Sequence, residues 1–181
     1  MSGVITELFP SGAGLQREFL RTDAGRVLRY RDALEQSAQL AHTLRALGVR
    51  ANDRVAVQVE KSPEAVLLYL ATLRVGAVYL PLNTAYTAAE LDYFLSDAEP
   101  ALFVCTPQRQ DSLEPLAQRL GVRAVATLGG AGEGSLLSHA RGRAIEFDTV
   151  ARSADDMAAI LYTSGTTGRS KGALLTQRNL V

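Results

Sequence analysis

The sequence predicts an α/β fold in which a doubly wound, largely parallel sheet is flanked by helices. Short apolar runs alternate four times with segments of helical periodicity, a pattern typical of successive βαβ units. The apolar runs are not interrupted by polar residues at every second position, as expected for strands buried on both faces. Glycines and capping residues mark where the helices end and begin.

The elements can be placed in chain order, after a weakly patterned stretch over residues 1–21. The predicted strands are residues 27–30, 55–59, 77–80, 101–105, 123–127, 157–162 and 173–175. The predicted helices are residues 31–47, 63–75, 88–96, 112–120 and 135–140. The first has one apolar face that includes Leu34, Leu44 and Leu47, and the second is apolar nearly all round. Ser62 and Thr87 are predicted N-caps.

A polar segment near the end of the chain has the composition of a phosphate-binding turn. Residues 163–172 hold three glycines, three threonines and two serines, together with Arg169 and Lys171. Glycine makes backbone N–H groups accessible, and these groups, hydroxyls and a lysine are all donors to phosphate oxygens. Apolar runs precede and follow the segment, so it is predicted to join two strands as a long hairpin-like turn.

Two alternatives for this segment fit less well. The P-loop of nucleoside triphosphatases has the spacing G-x-x-x-x-G-K-[ST] and leads into a helix. Here Gly165 and Gly168 precede Lys171 at a different spacing, Gly172 follows, and residues 173–175 favour a strand. A flexible linker is the other alternative, but linkers are rarely enclosed by two apolar strand-like runs.

Residues 162–172, YTSGTTGRSKG, resemble the phosphate-binding signature of the adenylate-forming superfamily. This superfamily includes acyl-CoA synthetases, adenylation domains of peptide synthetases, and luciferases. Ser170 stands where the signature usually has proline. The resemblance extends from about Val27 onward and implies that residues 1–181 are the N-terminal portion of an AMP-binding domain. Residues 68–76, 91–94 and 158–161 are most similar to malonyl-CoA synthetases.

The resemblance implies an ATP-dependent carboxylate–CoA ligase, with malonate as the favoured acid, coenzyme A as cosubstrate and Mg²⁺ as cofactor. It assigns catalytic roles to Thr166 and Lys171 and a metal-binding role to Thr163. ATP binding is assigned to Thr163, Ser164, Gly165, Thr166, Thr167, Gly168, Arg169, Ser170 and Lys171. Alternatives are another acyl-CoA synthetase, an amino-acid adenylation domain or a non-catalytic fragment. The remaining site groups are expected beyond Val181, so this chain alone is expected to be inactive.

Composition limits the classes of partner. Lys+Arg and Asp+Glu each number 19 among 181 residues, which favours neither nucleic acid nor an anionic membrane. The single cysteine, Cys105, lies in an apolar run and is predicted to be a core residue of a cytoplasmic protein. His42 and His139 have no ligand at metal-binding spacing, so a metal site built from side chains alone is not expected. Residues 1–9 lack the pattern of a signal peptide.

Overall fold

The computed structural model describes residues 7–163 and 170–180, which form a layered α/β structure. The strands are β1 (Glu18–Arg21), β2 (Val27–Arg29), β3 (Arg54–Gln58), β4 (Val78–Pro81), β5 (Leu102–Cys105), β6 (Ala124–Thr127), β7 (Met157–Thr163) and β8 (Lys171–Thr176). The helices are α1 (Tyr30–Ala46), α2 (Pro63–Arg74), α3 (Ala88–Ala98), α4 (Gln110–Arg119) and α5 (Ser135–Ala140). Short 3₁₀ turns occur at Gly12–Gln16, Pro107–Arg109 and Gln177–Leu180.

Strands β3 to β8 form one sheet in the order β6–β5–β3–β4–β7–β8. The pairs from β6 to β7 are parallel, and β8 runs antiparallel to β7. This confirms the predicted doubly wound, largely parallel sheet. Within the described part of the chain, no helix has the length and apolar character needed to cross a membrane.

Each face of the sheet carries its own apolar core. On one face, Val55 and Val57 of β3 pack in a cluster with residues of α1, α2 and α5. On the other face, Ala56 packs in a cluster with residues of α3 and α4. Successive side chains of a strand point to opposite faces, so an uninterrupted apolar strand serves both cores. The prediction of strands buried on both faces is therefore confirmed for β3 and β5, but it is wrong for β2, in which Val27 and Arg29 are exposed.

The predicted helix boundaries rest on caps that the structure contains. The Ser62 hydroxyl accepts a hydrogen bond from the Ala65 amide at 3.1 Å. Thr87 and Glu90 form a reciprocal capping box at the start of α3. Gly76 follows α2 with a φ of 75°, and a Cβ there would lie 3.0 Å from a Val150 methyl. Both the backbone conformation and the close packing therefore favour glycine at this position.

The N-terminal region differs from the prediction. Residues 18–21 form a strand that the sequence did not reveal, and it pairs antiparallel with β2 in a separate two-stranded sheet. The predicted strand 27–30 ends at Arg29, because Tyr30 already begins α1. The ring centroids of Phe9, Phe19 and Tyr30 lie 5.2–5.6 Å from one another. This aromatic cluster packs the small sheet against α1. A four-residue strand with two apolar residues is too short to show periodicity.

Candidate functional site

The predicted phosphate-binding segment connects the two strands of an antiparallel hairpin. Thr163 ends β7 and is paired directly with Lys171, which begins β8. Side chains opposite each other in such a pair have Cβ atoms about 4.5–5.5 Å apart on the same face. Both residues are exposed to solvent. The hairpin-like connection is confirmed, but the predicted start of the last strand at residue 173 was two residues late.

The structure places three of the predicted site residues. Thr163, Ser170 and Lys171 lie at the two ends of the connection, and Ser170 is half-buried. The other members of the set lie outside the described residues, and their assignment stays a prediction: Ser164, Gly165, Thr166, Thr167, Gly168 and Arg169. The hairpin thus brings the predicted Mg²⁺ ligand, Thr163, next to the predicted phosphate-binding cation.

Gly172 has a packing role in addition to its predicted place in the polar segment. It lies opposite Tyr162 in the β7–β8 ladder. A Cβ on Gly172 would come within 3.1 Å of the Ile160 Cγ2 atom and 3.5 Å of the Tyr162 Cε1 atom. The absence of a side chain lets the Tyr162 ring approach the β8 backbone, a use of glycine that is common where two chains come close.

Helix α3 contacts both strands of the hairpin beside its connection. The Tyr93 hydroxyl donates a hydrogen bond to the Ser170 carbonyl oxygen at 2.9 Å. The Tyr162 hydroxyl donates to the Asp97 carboxylate. Burial, followed by the hydrogen bond to Asp97, raises the pKa of Tyr162 above its ordinary value. The phenol is therefore protonated at neutral pH and available as a donor.

Sequence reasoning missed these α3 contacts. Tyr93 and Asp97 are four residues apart and therefore lie on one face of the helix. That spacing was the only signal available, and it does not identify a partner. The partners are remote in sequence, since 77 positions separate Tyr93 from Ser170 and 65 separate Asp97 from Tyr162.

The hairpin connection lies at the carboxyl edge of the parallel strands. β3, β4 and β7 are parallel, so their carboxyl ends meet at the same edge as Thr163. The chain leaves β3 toward α2 on one face and leaves β4 toward α3 on the other. Adjacent strands whose connections diverge in this way form a topological switch point, where ligands of open α/β sheets bind.

A cleft of about 620 Å³ opens at this switch point. It is lined by residues that follow β3, including Glu60 and Lys61, and by residues that follow β4, including Asn83 and Thr84. Charged and polar groups therefore line the part of the cleft beyond the strand ends.

A buried glutamine organises one wall of the cleft. Gln58, at the end of β3, is 1% exposed and donates from its amide to the Asn83 carbonyl oxygen at 2.8 Å. Its own oxygen accepts from Arg109 at 2.8 Å, and Arg109 also donates to the Thr84 carbonyl oxygen at 3.2 Å. These bonds fix the segment after β4. The sequence hinted at this only by placing a polar residue within the apolar run 55–59.

The exposed Thr163 hydroxyl suits a Mg²⁺ ion that arrives with a nucleotide. Mg²⁺ prefers oxygen ligands and usually keeps several waters while binding substrate phosphates and one or two protein groups. Among residues 7–163 and 170–180, no cluster of three or more His, Cys, Asp or Glu side chains could hold a metal by itself. The hydroxyl oxygen of Thr163 is of the donor type that a nucleotide-borne Mg²⁺ accepts as a ligand.

Two other residues singled out from the sequence have structural roles. Cys105 is fully buried in β5, and burial raises the pKa of its thiol to about 11, so it behaves as a core residue as predicted. The His42 Nε2 atom lies 2.8 Å from the Glu146 carbonyl oxygen, and the ring packs edge-on against Phe147. This histidine ties α1 to the segment that precedes β7.

Comparisons with known proteins place the chain in a family. Residues 12–181 match the family described as AMP-binding enzyme. The chain is 38% identical to Probable CoA ligase CCL9 of Humulus lupulus over 84% of this chain and 29% of that protein. It is 36% identical to Oxalate--CoA ligase of Arabidopsis thaliana over 84% of this chain and 30% of that protein.

A solved structure gives the same result. ATP-bound MatB from Rhodopseudomonas palustris matches with a TM-score of 0.92 and 48% identity, over 97% of this chain and 35% of that chain. The chain thus spans about a third of the length of these relatives. The family match and these identities show that the chain belongs to the AMP-binding enzymes, the adenylate-forming family that its phosphate-binding signature predicts.

Proposed function

We propose that residues 1–181 are the N-terminal portion of the AMP-binding domain of an ATP-dependent carboxylate–CoA ligase. The observation that carries the proposal is the pairing of Thr163 with Lys171 at the carboxyl edge of the sheet, on either side of the signature segment. In the proposed reaction a carboxylate oxygen attacks the α-phosphorus of ATP and diphosphate leaves. The thiol of coenzyme A then attacks the acyl carbon, loses its proton and displaces AMP.

Residues of the hairpin would bind the triphosphate and stabilise the charge that develops on it. The Lys171 ammonium and the hydroxyls of Thr166 and Thr167 are the proposed donors to the β- and γ-phosphate oxygens. Each such charge-assisted hydrogen bond contributes about 1.5–3 kcal/mol. Donors fixed before the reaction are the most effective, because they need no reorganisation when charge develops. Mg²⁺ held in part by Thr163 would neutralise further phosphate charge.

Malonate is the favoured acid. The segments that resemble malonyl-CoA synthetases include residues 68–76, which run from within α2 to just past its end, and residues 91–94 of α3. Identity to MatB is 48%, compared with 38% and 36% to the two CoA ligases named above. The relative named Oxalate--CoA ligase supports a small dicarboxylate, because oxalate carries two carboxylates as malonate does.

The reduced state expected for Cys105 supports a cytoplasmic location.

The test is ATP–diphosphate exchange by the full-length protein with separate acids. Malonate should support exchange that requires Mg²⁺, and acetate, a long-chain fatty acid and a panel of amino acids serve as comparisons. Exchange with another simple acid in place of malonate would identify a different acyl-CoA synthetase. Exchange with an amino acid alone would identify an adenylation domain. Absence of exchange with every acid would refute the ligase proposal.

A further inference from the structure

We propose that helix α3 positions the phosphate-binding segment by holding both of its ends. Tyr93, Asp97 and Tyr162 form what we call the tyrosine clamp, which determines where Thr163 and Lys171 lie. This inference rests on the proposed function, because it assigns the clamp a role in nucleotide binding. The three residues are positioning residues, since none is placed in contact with the nucleotide.

The first arm of the clamp holds the end that leads into β8. The Tyr93 hydroxyl donates to the Ser170 carbonyl oxygen at 2.9 Å, and Ser170 directly precedes Lys171. The Tyr93 ring packs edge-on against Phe94 with centroids 5.3 Å apart, which fixes the direction of the hydroxyl. One hydrogen bond therefore connects a helix of the core to the backbone beside the proposed phosphate-binding cation.

The second arm holds the end that follows β7. The Tyr162 hydroxyl donates to the Asp97 carboxylate, and Tyr162 directly precedes Thr163. The Tyr162 ring packs against Phe94 with centroids 4.6 Å apart, and its edge lies close to Gly172 of β8. The same ring thus contacts both strands of the hairpin.

The position of β8 explains why the hairpin needs such a support. Within the described residues, β8 is an edge strand whose only pairing partner in the sheet is β7. Residues 171–174 of β8 are exposed. Displacement of a reacting or binding group by about 1 Å can cost about 100-fold in rate, so contacts that fix the end of an edge strand affect function.

The clamp can be tested by removing single oxygen atoms in the full-length protein. Tyr93→Phe keeps the ring and deletes the bond to Ser170. Tyr86→Phe is the matched control, because Tyr86 stacks on Phe94 at 4.7 Å and its hydroxyl makes no hydrogen bond to another described residue. One lost hydrogen bond should raise the KM for ATP about 2- to 10-fold. The KM for the acid should not change, and Tyr86→Phe should match the wild type.

Deuterium exchange provides a readout that does not depend on catalysis. In Tyr93→Phe, peptides covering 170–176 should exchange faster, while peptides covering β3 should exchange at the wild-type rate. Asp97→Ala, at an exposed position, should accelerate exchange around residue 163 in the same way. An ATP KM and exchange pattern equal to those of Tyr86→Phe would overturn the proposal. Faster deuterium exchange in both β3 and the hairpin would also overturn the proposal, because exchange in both places indicates general destabilisation of the fold. If wild-type protein adenylates no acid, the proposed function fails, while deuterium exchange still decides whether the clamp holds the hairpin.

Discussion

Replacing Arg74 with alanine should lower the free energy of unfolding by about 3–4 kcal/mol. Arg74 is 6% exposed, and no carboxylate among the described residues pairs with it. Its guanidinium instead donates to the Leu34 carbonyl oxygen at 2.6 Å, the Phe147 carbonyl oxygen at 2.9 Å and the Ser37 hydroxyl at 2.9 Å. It thereby joins α1, α2 and the segment before β7.

The magnitude follows from these contacts. Each hydrogen bond from a charged donor to a carbonyl contributes about 1.5–3 kcal/mol, and there are two such bonds. Part of this gain is offset by the cost of burial, which lowers the pKa of the Arg74 guanidinium. A net loss of about 3–4 kcal/mol corresponds to a fall in Tm of about 6–16 °C for a chain of this size.

Urea unfolding followed by circular dichroism at 222 nm would measure the change, since the sequence contains no tryptophan. Arg45→Ala is the matched control, because Arg45 is exposed and its guanidinium lies 4.6 Å from the centre of the Phe147 ring. That contact should contribute only about 0.5–1 kcal/mol. Arg74→Lys should recover less than half of the loss, because a single ammonium cannot reach acceptors on two sides. Equal losses for Arg74→Ala and Arg45→Ala would refute the reasoning.

Three further predictions concern the hairpin and the core. Lys171→Ala should lower kcat/KM for adenylation about 10- to 150-fold, and its Tm should stay within about 2 °C of wild type because the side chain is exposed. Normal turnover together with a lower Tm would show that Lys171 has a structural role. Gly172→Ala should destabilise the chain by about 1–3 kcal/mol in thermal unfolding, since its Cβ would meet Ile160 and Tyr162; an unchanged Tm would contradict this. Cys105 should resist alkylation by iodoacetamide at pH 8 until urea unfolds the chain, because burial raises the pKa of its thiol to about 11. Rapid alkylation of the folded protein would show instead that the thiol is accessible.

The sequence by itself determined the fold class and the place of the candidate site in the chain. Uninterrupted apolar runs revealed strands buried on both faces, and Ser62, Thr87 and Gly76 marked helix ends, because caps and periodicity are local properties of the chain. The composition of residues 163–172 and the apolar runs around it predicted a hairpin, which the structure contains. Phosphate binding by this segment stays a prediction.

Tertiary structure alone decided which residues distant in sequence contact one another, in the core as well as beside the site. Arg74 appeared in sequence only as a charged residue near the end of an apolar helix, yet it joins three segments of the core. Tyr93 gave no sign that its partner would be the Ser170 carbonyl, and β1 gave no sign that it would form a separate sheet with β2. Each of these contacts depends on how elements are brought together by packing, which the local pattern of residues does not specify.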